Sequence, residues 1–296
     1  MEYISVKQFA EKFNISERTA RNYCASGKID GAYLVGKSWN IPADAVLPGR
    51  KRTSKTSPLL AALQEQKDSK IKGGTYHRVL IDFTYNSNHI EGSLLTHEQT
   101  RSIFETNTIG ITDETVNVDD IIETANHFRC IDLIIELAGA MLTESFIKQL
   151  HLMLKSGTSD SRKTWFAVGG YKRLPNEVGG VETAAPSDVH RQVRDLLQEY
   201  NAIKKHTLED FIDFHQRFEA IHPFQDGNGR VGRLIMFKEC LSAGIVPFII
   251  TDDLKMLYYR GLREWPRVQG FLLDTCLTAQ DHFKALLDYF QIKYRG

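Results

Sequence analysis

Twelve consecutive residues in the second half of the chain combine groups that could take part in phosphoryl chemistry. They run from His222 to Arg233 as His-Pro-Phe-Gln-Asp-Gly-Asn-Gly-Arg-Val-Gly-Arg. His222 is the side chain best suited to remove a hydroxyl proton near neutral pH. Asp226 is a hard oxygen ligand of the kind that Mg²⁺ accepts when it is bound to phosphates. The spacing predicts a site for a phosphorylated substrate, with a base at its start.

Helices should flank this segment and hold it as a turn. Apolar residues recur at helical spacing on both sides, at Phe211, Ile212, Phe214, Phe218 and Ile221 and again at Leu234, Ile235, Phe237 and Leu241. Gly227, Asn228 and Gly229 would then bring backbone N–H groups to the start of the second helix, where the helix dipole favours an anion. We expect the Asn228 amide to donate to a phosphate oxygen and the guanidiniums of Arg230 and Arg233 to bind phosphates as forked donors.

With every fixed position matched, this segment resembles the signature of Fic domains, H-P-F-x-(D/E)-G-N-G-R-x-x-R. The resemblance implies an all-α Fic helical fold and transfer of AMP from ATP to a Tyr, Thr or Ser hydroxyl of a protein, with the chain itself among the candidates. It also implies that His222 is catalytic and that Asp226 holds Mg²⁺. The residues implied to bind the nucleotide are Gly227, Asn228, Gly229, Arg230 and Arg233.

A second segment, Ser87-Asn88-His89-Ile90-Glu91-Gly92, lies near the end of a helix that is predicted from about residue 76. Ser87 and Glu91 are four residues apart and share one helix face, and Gly92 suits the position that ends a helix. The segment resembles the (S/T)-x-x-x-E-(G/N) inhibition motif of Fic proteins. The resemblance implies that Glu91 pairs with Arg233, the guanidinium that would otherwise hold the ATP γ-phosphate, and that the carboxylate repels the triphosphate.

Glycines and prolines interrupt the helical pattern at residues 162–186. The run Gly169-Gly170-Tyr171-Lys172…Val178-Gly179-Gly180 resembles the flap of Fic proteins, a β-hairpin that pairs with an extended target segment. Lys172 replaces the more usual arginine, and the apolar residue expected before the glycine pair is displaced. We expect Tyr171, Lys172 and Val178 to contact the target; the alternative is an ordinary surface loop.

Residues 1–48 have the organisation of a small DNA-binding domain. Ser5 could cap a first helix and Ser16 a second one, from Glu17 to about Cys24. The run, which ends in Trp39-Asn40-Ile41-Pro42, resembles the winged helix-turn-helix of excisionase and MerR-type proteins. The side chains expected to contact DNA are Arg18, Arg21 and Asn22 on the second helix and Lys37 in the wing. The alternative is a charged helical pair that contacts another protein.

Charge and composition set the predicted domain boundaries. The net charge is zero, but residues 1–57 hold ten Lys and Arg against five Asp and Glu. The basic run at residues 50–55 is equally consistent with an arm along the DNA backbone and with a solvated tether. The prediction is a winged helix-turn-helix at 1–48, a linker at 49–70 and a Fic domain at 71–296. Within the last, the inhibitory helix should cover about 76–92 and the catalytic core about 118–250.

The composition, with 42% hydrophobic and 25% charged residues, is that of an ordinary globular protein. The four cysteines are far apart and are expected to be buried thiols in a reducing compartment. Because the chain shows no hydrophobic leader and no apolar run of membrane-spanning length, we expect a cytoplasmic protein without a membrane partner. A single module of this kind binds DNA weakly, so a homodimer is expected.

Two other functions stay open at this point. The same site could remove AMP from a modified protein, with Glu91 positioning the attacking water. The chain could instead be chiefly a DNA-binding transcriptional regulator whose Fic-like domain senses nucleotide. The intact His222 favours a working enzyme, because sensing alone does not need a base at that position.

Overall fold

The computed structural model describes residues 3–13, 15–25, 29, 31–36, 38–46, 57–110 and 115–294. These residues fall into two units, Met1–Lys51 and Arg52–Gly296. The predicted basic run at 50–55 and the predicted DNA contact Lys37 lie outside the described residues.

The first unit combines two helices with a small antiparallel sheet. Its elements are β1 (Tyr3–Ser5), α1 (Val6–Lys12), α2 (Glu17–Ala25), β2 (Tyr33–Val35) and β3 (Ser38–Pro42). Strand β3 lies between the other two, with Ile4 paired to Ile41 and Leu34 paired to Trp39. The winged helix-turn-helix assignment stays a prediction.

Short polar side chains start both helices of this unit at the predicted residues. Ser5 Oγ accepts from the N–H of Gln8 and forms a capping box with it, and Ser16 Oγ accepts from the N–H of Thr19 at 3.1 Å. The apolar faces of the helices pack on the sheet in a core that contains Phe9, Ala10, Ala20, Cys24 and Ile41.

The second unit is built from helices. They are α3 (Pro58–Asp68), α4 (Thr75–Ile90), α5 (His97–Thr106), α6 (Val118–Glu136), α7 (Glu144–Lys155), α8 (Pro186–Ala202), α9 (Leu208–Ile221), α10 (Asn228–Ala243), α11 (Lys255–Glu264) and α12 (Gly270–Tyr289). One-turn 3₁₀ segments lie at Ser159–Arg162 and Asp252–Leu254. The helix predicted at about 76–92 corresponds to α4.

Helix α3 occupies much of the segment that was predicted to be a linker. Ser57 caps it by accepting from the N–H of Leu60, and Pro58 takes the first helical position, where its missing N–H costs nothing. Leu59, Leu60 and Leu63 are buried in the main core. Residues 58–68 of the predicted linker therefore form a helix that packs in the main core. The predicted domain boundaries stay predictions.

Helix α10 lies at the centre of this unit and packs against α4, α6, α7 and α9. Its residues from 228 to 242 are all buried, including charged ones. The ammonium of Lys238 bonds to Glu239 and to the Ala140 carbonyl, and Tyr200 donates to Glu239 at 2.7 Å. Because its surroundings are fixed on every side, the N-terminus of α10 is a rigid place for a site.

A two-stranded hairpin interrupts the helices as predicted. Strands β4 (Glu177–Val178) and β5 (Val181–Glu182) pair antiparallel, with Val178 opposite Val181. Gly179 and Gly180 form the turn with φ of 58° and 77°, values that glycine adopts at little cost and that a two-residue hairpin of this hand requires. The predicted all-α fold with one hairpin is confirmed.

The remaining general expectations concern the thiols and the membrane. All four cysteines are buried and free. Among the described helices, none combines the length and the apolar character needed to cross a bilayer.

The contact between α11 and α12 gives a prediction about stability. A Cβ at Gly261 would lie 2.7 Å from the backbone Cα of Leu272, whereas a Cβ at Gly270 would meet nothing within 4 Å. We expect Gly261→Ala to lower the free energy of unfolding by about 1–3 kcal/mol, because the backbones must separate to admit a methyl group. Urea denaturation measures the loss.

Gly270→Ala is the matched control and should be neutral or stabilising by about 0.5 kcal/mol, since alanine restricts the unfolded chain. Equal stability of the two variants would contradict the packing of α11 on α12 described above.

Candidate active site

The segment 222–227 links the end of α9 to the start of α10. His222 closes α9 with its backbone in the left-handed region, at φ 51°, while its N–H still donates to the Phe218 carbonyl at 2.9 Å. A residue with a side chain adopts this conformation at a cost of roughly 1–2 kcal/mol. The bend at His222 must therefore be held by contacts within the loop that follows.

Asn228 supplies those contacts. Its Oδ1 accepts from the Phe224 N–H at 2.8 Å, its Nδ2 donates to the Phe224 carbonyl at 2.9 Å, and the residue is buried. The amide therefore braces the loop through its oxygen and one of its two N–H groups. The expected bond to a phosphate oxygen stays a prediction.

Backbone donors at the start of α10 provide the anion position that the sequence predicts. Gly227 is the N-cap with φ 81°, and no side chain caps the helix. The N–H of Val231 is the first that bonds within the helix, to the Gly227 carbonyl at 3.1 Å. The N–H groups of residues 228–230 therefore precede the intrahelical ladder and lie at the positive end of the helix dipole.

The structure brings Glu91 from the end of α4 to Arg233 on α10. Arg233 Nη2 donates to Glu91 Oε1 at 2.7 Å and to the Ser87 carbonyl at 2.8 Å, and its Nε donates to Ser87 Oγ at 3.1 Å. Burial alone would lower the pKa of Arg233, but the negative charge of Glu91 outweighs it and raises the pKa above its ordinary value. The guanidinium stays charged, and Ser87 and Glu91 share it.

The same carboxylate lies against the first turn of α10. A Cβ at Gly229 would collide with Glu91 Oε1 and would lie 2.9 Å from Arg233 Nη1. Only a residue without a side chain leaves room for this carboxylate at the helix N-terminus. Glu91 thus lies against Gly229 in the first turn of α10.

The end of α4 is fastened next to Glu91. Tyr259 on α11 donates from its hydroxyl to the Ile90 carbonyl at 3.1 Å. Gly92 follows Glu91 with φ 99°, a conformation that suits glycine and ends the helix as predicted. Burial, followed by the charge of Glu91, raises the pKa of Tyr259 to about 12, so its hydroxyl remains a donor.

Asp226 belongs to a group of alternating charges beneath the loop. Lys155 Nζ bonds to Asp226 Oδ2 at 2.7 Å and to Asp160 Oδ2 at 2.8 Å, and it also contacts Glu123. Burial would lower the pKa of Lys155, but Asp226 and Glu123 outweigh it and raise that pKa. Burial opposes ionisation of Asp226, yet Arg230 and Lys155 hold its pKa well below the usual range.

The guanidinium of Arg230 belongs to the same group of alternating charges. Its guanidinium is buried, contacts Glu123 through Nη1 and reaches Asp226 Oδ2 at 3.2 Å through Nη2. The side chain therefore completes the charged group and orients Asp226. Its expected contact with a phosphate stays a prediction. Glu123 lies 107 residues earlier in the chain, on α6, and nothing near Arg230 in the sequence indicates it.

The exposure and charge of Asp226 show whether it could bind Mg²⁺. The side chain is about half exposed (47%), and it is held as a carboxylate by two cations. In the described part of the chain, no group of three or more His, Cys, Asp or Glu side chains could form a metal site alone. One carboxylate beside phosphate oxygens is nevertheless a usual Mg²⁺ arrangement, so the residue fits a metal that arrives with a nucleotide.

His151 on α7 is a site residue that sequence analysis missed. Its ring stacks on Phe224 with centroids 3.9 Å apart and planes 6° apart. Nδ1 accepts from the Gly169 N–H at 2.9 Å, and Nε2 lies 3.2 Å from the Asp226 carbonyl. Burial lowers the pKa of His151 to about 3, so the neutral ring accepts at Nδ1 and donates at Nε2. The ring supports the loop from below.

His222 lies between groups of opposite charge. Burial and the positive charge of Lys172 lower the pKa of His222. A hydrogen bond with the Glu219 backbone and the negative charges of Glu91 and Asp226 raise it by less, so the pKa lies below its ordinary value. Its Nδ1 is 4.0 Å from Glu219 Oε2. Burial and the charge of Glu91 raise the pKa of Glu219 to about 8, which keeps that carboxyl largely protonated at neutral pH. The imidazole is therefore available as a neutral base.

The three predicted target contacts separate into two kinds. Val178 on β4 is exposed, next to an open strand edge. Tyr171 packs against Phe224 and beneath Lys148 Nζ, 4.1 Å from its ring centre, and Lys172 is buried. Tyr171 and Lys172 therefore support the hairpin through these contacts. Their expected contact with a target stays a prediction.

The predicted DNA contacts lie in the first unit. Arg18, Arg21 and Asn22 are exposed on α2, at the spacing of one helix face. Arg21 also pairs with Glu17 at 2.6 Å, an exposed contact of small energetic weight.

Comparison with protein families places this geometry in a known group of domains. Residues 141–240, which run from the start of α7 through most of α10, match the profile of the Fic/DOC family. The match therefore covers about a third of the chain, and the twelve-residue segment lies inside it.

Curated relatives carry one name. A protein called Protein adenylyltransferase Fic from Drosophila mojavensis is 26% identical over 260 residues, 79% of this chain and 49% of that protein. One from Drosophila willistoni is 28% identical over 187 residues, 60% of this chain and 35% of that protein. The chain thus spans between about a third and a half of the length of these relatives.

Solved structures agree on the fold. A Fic domain containing signaling protein from Bacteroides thetaiotaomicron matches with a TM-score of 0.63 and 23% identity, over 80% of this chain and 98% of that one. Fic-1 from Caenorhabditis elegans matches with a TM-score of 0.59 and 17% identity, over 79% and 72%. The Fic fold predicted from the twelve residues is confirmed.

The charged group around Lys155 gives a prediction about stability and pH. Lys155→Met removes a buried cation from several carboxylates. We expect the free energy of unfolding to fall by about 3 kcal/mol at pH 7. This value is near the low end for buried ion pairs because Asp226 is half exposed. Asp226 has a depressed pKa in the folded state, so its ion pairing stabilises fully above pH ~4 and less as pH falls towards that pKa.

Urea denaturation at pH 7 and at pH 3 measures the difference in free energy of unfolding between the parent and Lys155→Met. This difference should be smaller at pH 3. Lys163→Met is the control, since Lys163 pairs with the same Asp160 from an exposed position and should cost at most about 0.5 kcal/mol. A loss for Lys155→Met that is equal at both pH values would contradict the ionic account.

Proposed function

We propose that the chain is a protein adenylyltransferase that moves AMP from ATP to a hydroxyl of a protein and is held inactive by Glu91. The observation that carries the proposal is the meeting of His222, the open first turn of α10 and the Arg233–Glu91 pair at one point of a Fic fold. The shared name of the curated relatives supports the same reaction.

The chemical step assigns the proton to His222. The neutral imidazole removes the hydroxyl proton of a Tyr, Thr or Ser side chain, and that oxygen bonds to the α-phosphorus of ATP. The bond from this phosphorus to the bridging oxygen breaks, and pyrophosphate leaves. The chain supplies no covalent intermediate, so the rate gain comes from positioning and from stabilising charge on the phosphates.

The first turn of α10 and Arg233 would bind the triphosphate. The N–H groups of residues 228–230 suit phosphate oxygens, and the absent Cβ of Gly229 lets them approach the backbone. Asp226, kept ionised by Lys155 and Arg230, would hold Mg²⁺. That ion would neutralise phosphate charge.

Glu91 would inhibit the reaction because its carboxylate and a phosphate group of ATP compete for one position. Glu91 bonds to Arg233 and lies against Gly229, where a phosphate group of ATP would be expected. A phosphate and a carboxylate cannot share this volume, and their like charges repel each other. Release of Glu91 would therefore precede productive ATP binding.

The hairpin suits an extended target segment. Val178 and Val181 are exposed beside the open edges of β4 and β5, which could hydrogen-bond to a further strand. Backbone pairing would then place one hydroxyl of the target near His222. The identity of the target is not fixed by such contacts.

Removal of AMP is the reverse use of the same groups. With Glu91 in place, its carboxylate could orient a water and take its proton as the water oxygen bonds to the phosphorus of the AMP group. The bond from phosphorus to the target oxygen would break, and His222 would protonate that leaving oxygen. Incubation with a target that already carries AMP distinguishes the two directions by mass. The contact of Glu91 with Arg233, which opposes ATP directly, favours transfer with inhibition.

DNA binding is a second function, proposed for the first unit. Its support is the exposed face of α2 that carries Arg18, Arg21 and Asn22, together with the basic composition of residues 1–57. A homodimer would present two such faces and bind more tightly than one. Regulation of its own promoter is a simple use of both functions.

The catalytic proposal predicts the behaviour of two variants. Glu91→Gly should label itself or a protein target with AMP when ATP and Mg²⁺ are supplied, at least about 10-fold faster than the parent, because the phosphate position is free. Intact-mass analysis detects the addition of one AMP. Glu91→Gln keeps the shape of the side chain and should activate less.

Adding His222→Ala to the Glu91→Gly variant should remove the labelling. Transfer that persists in this double variant would overturn the role of His222. Equal labelling by Glu91→Gly and by the parent would overturn the inhibition.

The DNA proposal predicts a loss of binding in gel shifts with a duplex from its own promoter. Arg18→Ala and Asn22→Ala should each weaken specific binding by about 5- to 100-fold, as expected for a lost base or phosphate contact. Lys204→Ala, an exposed cation of the second unit, is the charge control and should bind as the parent does. Parental binding by both α2 variants would contradict the proposed surface.

A further inference from the structure

Lys172 is a buried lysine whose ammonium joins the hairpin to the end of α9. Nζ donates to Asn176 Oδ1 at 2.7 Å, to Thr183 Oγ1 at 2.6 Å and to the Ile221 carbonyl at 3.3 Å. An ammonium has three N–H donors, so this set uses all of them. Asn176 precedes β4 and Thr183 follows β5. One head group therefore connects both arms of the hairpin to the residue before His222.

The backbone around Lys172 follows the same path. Its N–H donates to the Pro223 carbonyl at 2.8 Å, and Asn176 Nδ2 donates to the Phe224 carbonyl at 3.2 Å. The carbonyls of residues 221, 223 and 224 thus all accept from the hairpin segment. The bend at His222 is enclosed on this side by groups of the hairpin.

The charge of Lys172 has no acidic partner among the ion pairs of the described residues. Neutral oxygens surround the ammonium, and burial lowers its pKa to about 8. Three other residues act on the imidazole of His222: Glu219 on α9 through its backbone, and Glu91 at the end of α4 and Asp226 in the loop through their negative charges. Lys172 is the cation that opposes these two carboxylates at the imidazole.

We propose that Lys172 is a positioning residue for His222, which anchors the hairpin to the end of α9 and favours the neutral imidazole through its positive charge. The kinetic part of this inference rests on the proposed function, whereas the effect on the imidazole does not. A target strand that pairs with the hairpin would then act on the same anchor that sets the base.

The charge and the anchoring can be separated by substitution. Lys172→Met keeps most of the buried volume and removes the charge. Thr183→Val removes one acceptor of the ammonium and leaves the charge in place. Lys172→Arg keeps the charge with a larger head group, and it remains informative if the methionine variant folds poorly.

The first measurement is a pH titration of the histidine resonances by NMR on the full chain without ligand, with His222 assigned by its absence in His222→Ala. We expect the pKa of His222 to rise in Lys172→Met and to stay near the parent value in Lys172→Arg and Thr183→Val. An unchanged pKa in Lys172→Met would overturn the inference. An equal rise in Thr183→Val would also overturn it, because loosening alone would then explain the effect.

Hydrogen exchange tests the anchor. The amide protons of Lys172 and of the hairpin should exchange at least about fivefold faster in both Lys172→Met and Thr183→Val, since each loses bonds between hairpin and loop. Lys205→Met removes an exposed cation just before α9, about 20 Å from His222, and should change neither exchange nor the imidazole. Parental exchange rates in both hairpin variants would contradict the anchoring role.

The kinetic measurement uses the Glu91→Gly background. Lys172→Met should move the acid limb of the pH profile of AMP transfer to higher pH, so that the rate falls more at pH 6.5 than at pH 8.5. An acid limb in the parental place would contradict the link to the base. Absence of any AMP transfer in Glu91→Gly would refute the proposed function, while the NMR titration would still decide the role of Lys172.

Discussion

The buried guanidinium of Arg233 is the constraint on which the rest of the site depends. A charge with 3% of its side chain exposed is stable only if anions and acceptors surround it, because desolvation costs several kcal/mol. The Ser87 carbonyl and hydroxyl meet part of this need, and Glu91 supplies the negative charge. The position next to Gly229 must therefore hold an anion, and the chain contributes its own.

The loop beside Arg233 is built so that little has to move when a substrate arrives. Asn228 closes the loop on Phe224, His151 supports it by stacking, and Lys155 fixes Asp226. Each of these groups bonds to neighbouring protein groups. Preorganisation of this kind removes reorganisation from the reaction step, which is where an enzyme gains most from electrostatics. It also explains why so many polar residues near the site are buried and paired.

The sequence predicts the groups that face the substrate better than the groups that hold them. His222, Gly229, Glu91 and Arg233 lie in two short patterns, and the structure brings both patterns together. A residue type has several uses: Asn228 braces the loop and could also donate to phosphate, and Arg230 pairs with a buried acid. Nothing local distinguishes these uses when the partner is far away, as Glu123 is from Arg230.

The same limit applies to the supports of the hairpin and to helix α3. Tyr171 and Lys172 stand in a pattern typical of a target-binding flap. Their side chains nevertheless pack inward: Tyr171 contacts Phe224, and Lys172 bonds to the Ile221 carbonyl at the end of α9. Helix α3 lies within the segment that was predicted to be a linker, although Leu59, Leu60 and Leu63 have the spacing of a buried helix face.

Because Glu91 is carried on α4 of the same unit, the carboxylate behaves as a tethered ligand whose local concentration is set by geometry and is unaffected by dilution. Effective concentrations for short connections reach the millimolar range. In the proposed reaction, free ATP would compete with this carboxylate on comparable terms, and small changes at the tether would shift the balance between them. The hydrogen bond from Tyr259 to the Ile90 carbonyl lies in that tether. Any partner that displaced α11 by a fraction of an ångström would lengthen this bond and lower the local concentration of the carboxylate without touching the nucleotide position.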